Sequence, residues 1–203
     1  MRRMWVSEEG AVDAAVEVLR SGGVVVFPTD TLYGLLASVE SKEALERVAN
    51  IKGRDESKPF PVFVAGMGVA ERYAVFTPLA RRLWSRFMPG ALTLVLGAKR
   101  EIPYVSPRGT VGLRMPNHPV LLKVLSLLGV GVVGTSANFS GEPPAASHLE
   151  LSEKLCSLVD LVVLEEGTLG GVASTVVDAR GDVPVVLRRG ALDEEEIRGV
   201  LRG

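Results

Sequence analysis

The chain is expected to fold as an α/β (α+β) protein, a twisted mixed sheet flanked by helices, and three observations lead there. Short apolar runs of strand length alternate with segments whose apolar residues recur at helical spacing. Glycine, proline and hydroxyl-bearing residues punctuate the joints between them. Apolar runs near the C-terminus follow one another with few helical segments between, which requires some antiparallel pairing. With 203 residues and 47% hydrophobic content the chain can bury a core without disulfides or structural metal, and one domain over residues 1–203 is expected.

Val12, Ala15, Val16 and Leu19 mark one face of a helix that Gly22 and Gly23 stop, and Val24 to Phe27 follows as a strand. Pro28-Thr29-Asp30-Thr31-Leu32-Tyr33-Gly34-Leu35 is then a loop crowded with hydroxyls, with a helix-like segment expected after it. Ser41 is the expected N-cap of a helix through Ala44, Leu45 and Val48, which delivers Lys52-Gly53-Arg54 to its end with the cations facing outward. Pro61 to Ala65 reads as a strand, Thr77-Pro78 as a helix start, and Leu92 to Leu96 and Val111 to Met115 as strands. A helix over Pro119 to Leu128, a strand at Val130 to Val133 and a helix through Leu149 to Val159 come next. Leu161 to Leu164, Thr175 to Val177 and Val183 to Leu187 are the late apolar runs, before an acidic-start helix near Leu192 to Leu201.

Several function classes are disfavoured. No apolar run approaches the roughly 20 residues of a membrane-spanning helix, and Ser7-Glu8-Glu9 interrupts the start where a secretory signal needs an apolar core, so a cytoplasmic protein without a membrane partner is expected. The net charge of -1 argues against a protein that coats nucleic acid, and any cationic site must be local. Cys156, the single cysteine, lies beside Leu155 and Leu158 and reads as a core residue. His118 and His148 each stand near a helix start without metal-ligand spacing, so they read as capping or surface residues and no protein metal cage is expected. Gly129-Val130-Gly131-Val132-Val133-Gly134 has the glycine spacing of a dinucleotide fingerprint, but a helix precedes it and a strand follows, the reverse of the required order.

What remains points to a polar ligand. The hydroxyl loop and Gly134-Thr135-Ser136-Ala137-Asn138-Phe139-Ser140-Gly141 each follow a strand, and in open α/β sheets ligands lie outside the carboxyl ends of strands. Lys52, Arg54, Lys58, Arg114 and Arg188 fall at element ends together with the hydroxyls of Thr31, Thr110, Ser136 and Ser174. Those are the groups that hold phosphates and a carboxylate, arginine doing so with paired hydrogen bonds. Asp30 reads equally as a turn residue, an acid or base, or a magnesium contact.

Seven segments carry a resemblance. Pro28-Thr29-Asp30-Thr31-Leu32-Tyr33-Gly34, Lys52-Gly53-Arg54 with Lys58-Pro59, and Pro89-Gly90-Ala91-Leu92-Thr93 come first. Thr110-Val111-Gly112-Leu113-Arg114-Met115-Pro116, Ser136-Ala137-Asn138 with Ser140-Gly141, Ser174-Thr175-Val176-Val177-Asp178 and Leu187-Arg188 follow. In this order they resemble the threonylcarbamoyl-AMP synthase family, also called YrdC-like. Phe63 stands where relatives often carry histidine, and Met88 and Arg189 where tryptophan and proline are frequent. The chain stops near the expected limit of the catalytic domain, so the short form, without the extra C-terminal domain of longer relatives, is expected.

The resemblance implies a single YrdC-like domain with a concave basic ligand cleft. It implies a nucleotidyltransferase that joins L-threonine, bicarbonate or CO2, and ATP into threonylcarbamoyl-AMP and pyrophosphate, with magnesium accompanying the ATP. A downstream tRNA threonylcarbamoyl transferase complex would take the product to adenosine in tRNA. Carried over by motif, Thr31, Phe63, Arg114, Gly134 and Ser174 would line the threonine pocket. Arg54, Lys58, Thr110, Ser136, Pro144 and Arg188 would line the ATP side, and Lys52, Arg54, Ser136 and Asn138 would form the catalytic set. Two alternatives stay open at this stage, a non-catalytic module that contacts tRNA or double-stranded RNA directly, and a paralogue acting on a different amino acid.

Overall fold

The computed structural model describes residues 2–53 and 58–201. Its first half runs β1 (Arg2–Trp5), α1 (Ala11–Arg20), β2 (Val24–Phe27), β3 (Gly34–Ser38), α2 (Lys42–Lys52), β4 (Val62–Phe63), α3 (Met67–Ala70), β5 (Ala74–Val75) and α4 (Pro78–Phe87). The second half runs β6 (Leu92–Ala98), β7 (Thr110–Arg114), α5 (Pro119–Leu128), β8 (Val132–Ser136), α6 (Glu153–Cys156), β9 (Leu161–Leu164), β10 (Thr175–Asp178), β11 (Val185–Arg188) and α7 (Glu194–Gly199).

The helix starts follow from local hydrogen bonding. Ser41 Oγ accepts from the Ala44 amide at 3.2 Å, Thr77 Oγ1 from Ala80 at 3.0 Å, and His118 Nδ1 from Leu121 at 3.2 Å. Pro78 and Pro119 occupy the first turns of α4 and α5, where a missing N–H costs nothing. Such caps each contribute on the order of 1 kcal/mol. Gly129, at φ 68°, ends α5 in the left-handed conformation that glycine adopts without a side-chain clash.

All strands join one mixed sheet in the order β1-β9-β2-β3-β8-β4-β7-β6-β10-β11, with β5 on the side of β6. Alternate residues of each strand face opposite ways, so the sheet has two faces to cover. One is apolar along its length. Val24, Val26, Leu35 and Val133 face Leu45 and Val48 of α2, and Leu92, Leu94, Leu96, Val111 and Leu113 belong to the same core as Leu79 and Leu83 of α4. The other face divides in two. Over β9, β2, β3 and β8, the side chains of Leu161, Val25, Phe27, Leu36 and Val132 pack under α1 and α5. Each fully buried side chain of this kind stabilises the fold by about 1.5–3 kcal/mol. Over β4, β7, β6 and β10 that same face carries Phe63, Gly112, Arg114, Thr93, Val95 and Val176, which line a cavity.

Four elements differ from the sequence expectation. The segment after the hydroxyl loop is the strand β3, not a helix, paired antiparallel to both β2 and β8. All five of its residues are buried, and a run apolar on both faces has no period to separate strand from helix. The strand expected at Val130 begins two residues later and takes in Gly134 to Ser136, so the first three residues of the second loop are sheet. The strand expected over Pro61 to Ala65 shrinks to Val62–Phe63. The long helix expected over Leu149 to Val159 is a 3-10 turn at His148–Glu150 and the single turn α6, because Leu151 and Ser152 are extended and Ser152 caps a new start.

Candidate functional site

The cavity has a volume of about 290 Å³ and lies on the half of the sheet face that α1 and α5 leave open. It approaches the lower bound of about 300–1,000 Å³ usual for small-molecule pockets. Ligand contacts were expected at strand carboxyl ends; the cavity instead spreads across strands that run in both directions. In a mixed sheet the carboxyl ends do not share one edge, so the face collects what the edge cannot. Thr31, Phe63, Thr110, Arg114, Gly134, Ser136, Ser174 and Arg188 all line it, bringing eight of the residues singled out in the sequence together.

Arg114 is 4% exposed and its guanidinium is held on three sides. Nη2 donates to Asp30 Oδ1 at 2.6 Å, Nη1 to Thr31 Oγ1 at 3.1 Å, and Nε to the Gly90 carbonyl at 3.0 Å. Burial pulls its pKa below the free-arginine value while the Asp30 carboxylate opposes that, and arginine stays charged throughout. The Phe63 ring lies beneath it, 5.5 Å from centroid to Cζ. That ring occupies the space a side chain at 134 would need, since a Cβ on Gly134 would meet three ring carbons at 2.2–2.5 Å. Close to this cluster the segment between β9 and β10 crosses the hydroxyl loop. Gly171 N donates to the Thr31 carbonyl at 2.8 Å, and a Cβ on Gly170 would sit 2.7 Å from the Asp30 carbonyl oxygen.

A second polar cluster stands on β6, β10 and β11. Ser174 Oγ and Thr93 Oγ1 are 2.9 Å apart, and Arg188 Nη2 donates to the Ser174 carbonyl at 2.8 Å and to its Oγ at 3.2 Å. Arg114 and Arg188 thus bring cations to the cavity wall from separate strands.

Lys52 corrects the expectation that its charge faces outward. It is 1% exposed, and its Nζ donates to the Ser136 carbonyl at 2.8 Å and to Asn138 Oδ1 at 2.7 Å. Ser136 Oγ donates to the same Oδ1 at 2.6 Å, and Asn138 Nδ2 to the Glu142 carbonyl at 2.6 Å. A buried ammonium must be surrounded by acceptors, and here it fixes the turn that leaves β8. Lys52 and Asn138 therefore stand behind Ser136 and hold it, outside the cavity wall.

Lys58 and Pro144 are exposed and do not line the cavity, and Arg54 lies outside the described residues. Sequence reasoning did not single out the pairing of Asp30 with Arg114, nor Thr93 as the partner of Ser174. Thr93 carried a usable signal, a polar residue alternating with Leu92, Leu94 and Leu96. A larger hollow of about 570 Å³ at the end of α2 shares only Lys52 with the expected residues, and the Lys52 ammonium donates to the Ser136 carbonyl. Among the described residues no group of three or more His, Cys, Asp or Glu is placed to hold a metal ion, and Asp30 is committed to Arg114. No described helix is long and apolar enough to cross a membrane.

Comparison with known proteins gives consistent results. The Sua5–YciO–YrdC family model, described as "Telomere recombination", matches residues 17–190. The chain is 37% identical over 198 residues to the threonylcarbamoyl-AMP synthase of Bacillus subtilis, covering 92% of this chain and 55% of the relative. The crystal structure of Pyrococcus abyssi Sua5 complexed with L-threonine superposes with a TM-score of 0.90 at 35% identity, over 98% of this chain and 59% of that one. The chain therefore spans little more than half the length of these two. Uncharacterized protein YciO of Escherichia coli is 32% identical over 190 residues, covering 92% of both chains, and its crystal structure superposes with a TM-score of 0.83.

Proposed function

The chain belongs to the Sua5–YciO–YrdC family, and on that premise we propose that it is an L-threonylcarbamoyladenylate synthase. The observation that carries the reading is the convergence of Thr31, Arg114, Ser136, Ser174 and Arg188, drawn from residues 31 to 188 of the sequence, on one cavity. Relatives named threonylcarbamoyl-AMP synthase, and the threonine bound to P. abyssi Sua5, support threonine as the substrate.

In this reading Arg114 takes the α-carboxylate of threonine with the N–H groups that Asp30, Thr31 and Gly90 leave available. The amine adds to CO2, forming a C–N bond and releasing a proton, and gives a carbamate. A carbamate oxygen then attacks the α-phosphorus of ATP, one P–O bond forms, and the bond to the leaving pyrophosphate breaks. No protein nucleophile takes part. On this proposal Arg188 offers charge to the phosphates from the cavity wall, and Ser136, held in place by Lys52 and Asn138, contacts the nucleotide. Holding the reactants together supplies on the order of 7–11 kcal/mol of the barrier reduction.

Magnesium enters this proposal with the ATP phosphates. The described residues offer it no ready cage, and magnesium commonly takes only one or two protein carboxylates beside phosphates and water. Bicarbonate or CO2 as carbon source, and a downstream transferase that delivers the product to tRNA, are parts of the same proposal.

The test is pyrophosphate release from ATP in bicarbonate buffer with magnesium. Release that requires threonine, with threonylcarbamoyl-AMP detected by mass spectrometry, is expected. Release at the same rate without any amino acid would refute the reading.

A further inference from the structure

We infer that Tyr33 is a positioning residue for the cavity: its phenol ties the connection between β9 and β10 to the hydroxyl loop, and so keeps Thr31 in place against Arg114. The inference rests on the synthase reading only in taking threonine as the ligand of Arg114.

Tyr33 joins three segments, each of which carries a residue of the cavity wall. Thr31 lies on its own loop. Its carbonyl accepts from Ala137 N at 2.8 Å, on the turn that follows Ser136, and its N–H donates to the Ala145 carbonyl at 2.9 Å. Those two are backbone bonds, and the third link belongs to the side chain. The phenol oxygen accepts from Glu165 N at 2.9 Å and donates to the Glu165 carbonyl at 3.3 Å. The ring is fully buried in the core, and burial holds the phenol pKa above the usual tyrosine value, so the donated proton stays in place at neutral pH. A buried tyrosine hydroxyl finds a hydrogen-bond partner, and here the partner is irregular backbone beyond the end of a strand.

Glu165 opens the connection that leads to Ser174. His118 Nε2 donates to its carboxylate at 3.0 Å and His148 Nδ1 to its carbonyl at 3.2 Å, whereas the N–H takes Tyr33 as its acceptor. Farther along, Gly171 N donates to the Thr31 carbonyl at 2.8 Å. The hydroxyl loop and the connection are thus tied at two points, Tyr33 to Glu165 and Thr31 to Gly171. Two ties fix the orientation of one backbone against another, and a single tie leaves a hinge. Tyr33→Phe keeps the ring in the core and both backbone bonds of residue 33, and removes one of the two ties. Thr31 Oγ1 then loses its fixed place against Arg114 Nη1.

The experiment compares the full chain as wild type and as Tyr33→Phe, by amide hydrogen exchange and by calorimetry with L-threonine. In the variant the Gly171 amide is expected to exchange at least about tenfold faster, the upper end of what one hydrogen bond contributes, while the Ala137 amide keeps its wild-type rate. Threonine affinity is expected to fall by at least about tenfold. In turnover the loss should appear in KM with kcat retained, because Arg114 holds the carboxylate alike in the ground and transition states. A tyrosine with only a packing role would instead leave Gly171 exchange unchanged or loosen Gly171 and Ala137 together. Either result in the folded variant, or unchanged affinity beside a loosened Gly171 amide, overturns the inference. Should the variant fail to fold, wild type decides: a Glu165 amide protected from exchange supports the tie, and an unprotected one overturns the inference. If wild type binds no threonine, the synthase reading falls and the exchange pattern alone decides the inference. If wild type binds and turns over threonine and the variant matches it, the synthase reading stands and the inference falls.

Discussion

One face of the sheet is built in two ways. Over β9, β2, β3 and β8 its outward residues are Leu161, Val25, Phe27, Leu36 and Val132, closed under α1 and α5. Over β4, β7, β6 and β10 the equivalent positions hold Phe63, which also belongs to the covered cluster and marks the border, then Gly112, Arg114, Thr93 and Val176, and beyond Phe63 a cavity replaces the helices. The opposite face is apolar under both halves, so the strands of the two regions are equally well anchored from behind. The difference lies in every second residue. The covered half stabilises the fold by removing apolar area from water. The open half keeps its polar groups in order by bonding them to each other, and no buried side-chain polar atom among the described residues lacks a partner.

The sharpest way to break this contrast is Arg114→Met. It leaves Asp30 as a carboxylate 14% exposed without its cation, and removing one partner of a buried pair costs about 3–5 kcal/mol. Urea denaturation should show a loss of that size, and calorimetry the loss of threonine binding; unchanged stability would mean that the pair is not structural. Leu36→Ala probes the covered half, where an emptied core position costs about 2–5 kcal/mol. Threonine affinity of the remaining folded protein should not change, and a parallel drop in affinity would erase the division between the two halves.

Gly134→Ala should cost about 1–3 kcal/mol, because the new methyl meets the Phe63 ring. Adding Phe63→Leu should return part of that loss in a double-mutant cycle, and strict additivity would show that the two residues do not touch. The smallest effect is a pH dependence. Burial pushes the Asp160 carboxyl up, but the hydrogen bonds from Arg47 and the Val24 amide outweigh it and hold its pKa below the usual value. A depressed folded-state pKa means that the stabilisation is full above the unfolded value of about 3.9 and is lost as pH falls through the folded one. Asp160 is 42% exposed, so the effect is screened to no more than about 1 kcal/mol. Thermal unfolding of Asp160→Asn should show a shallower fall in stability over that acid range than wild type.

Much of this was legible in the sequence. The capping residues Ser41, Thr77 and His118 and the glycine stop at Gly129 are local signals, and the helices they bound appear where expected. Thr31, Arg114, Ser136, Ser174 and Arg188 each have an ordinary structural reading alone; they are singled out because cations and hydroxyls gather at element ends and because the segments that hold them resemble the ordered motifs of one family, and all five line the cavity. What could not be read depends on partners distant in the chain. Asp30 lies 84 positions from Arg114, and no local pattern separates its ion pair from a turn-stabilising role. The burial of Lys52 depends on acceptors that β8 brings to it, and β3 depends on neighbours on both sides to become a strand.

The crossing at Gly170 and Gly171 sets a limit on how this site can change. Two backbones in contact leave no room for even a methyl group, so any other residue at position 170 must displace the loop that carries Asp30 and Thr31 away from the guanidinium they orient. A position that does not line the cavity would then be among the least replaceable in a mutational scan, and selection for activity would register there before it registered at much of the cavity wall.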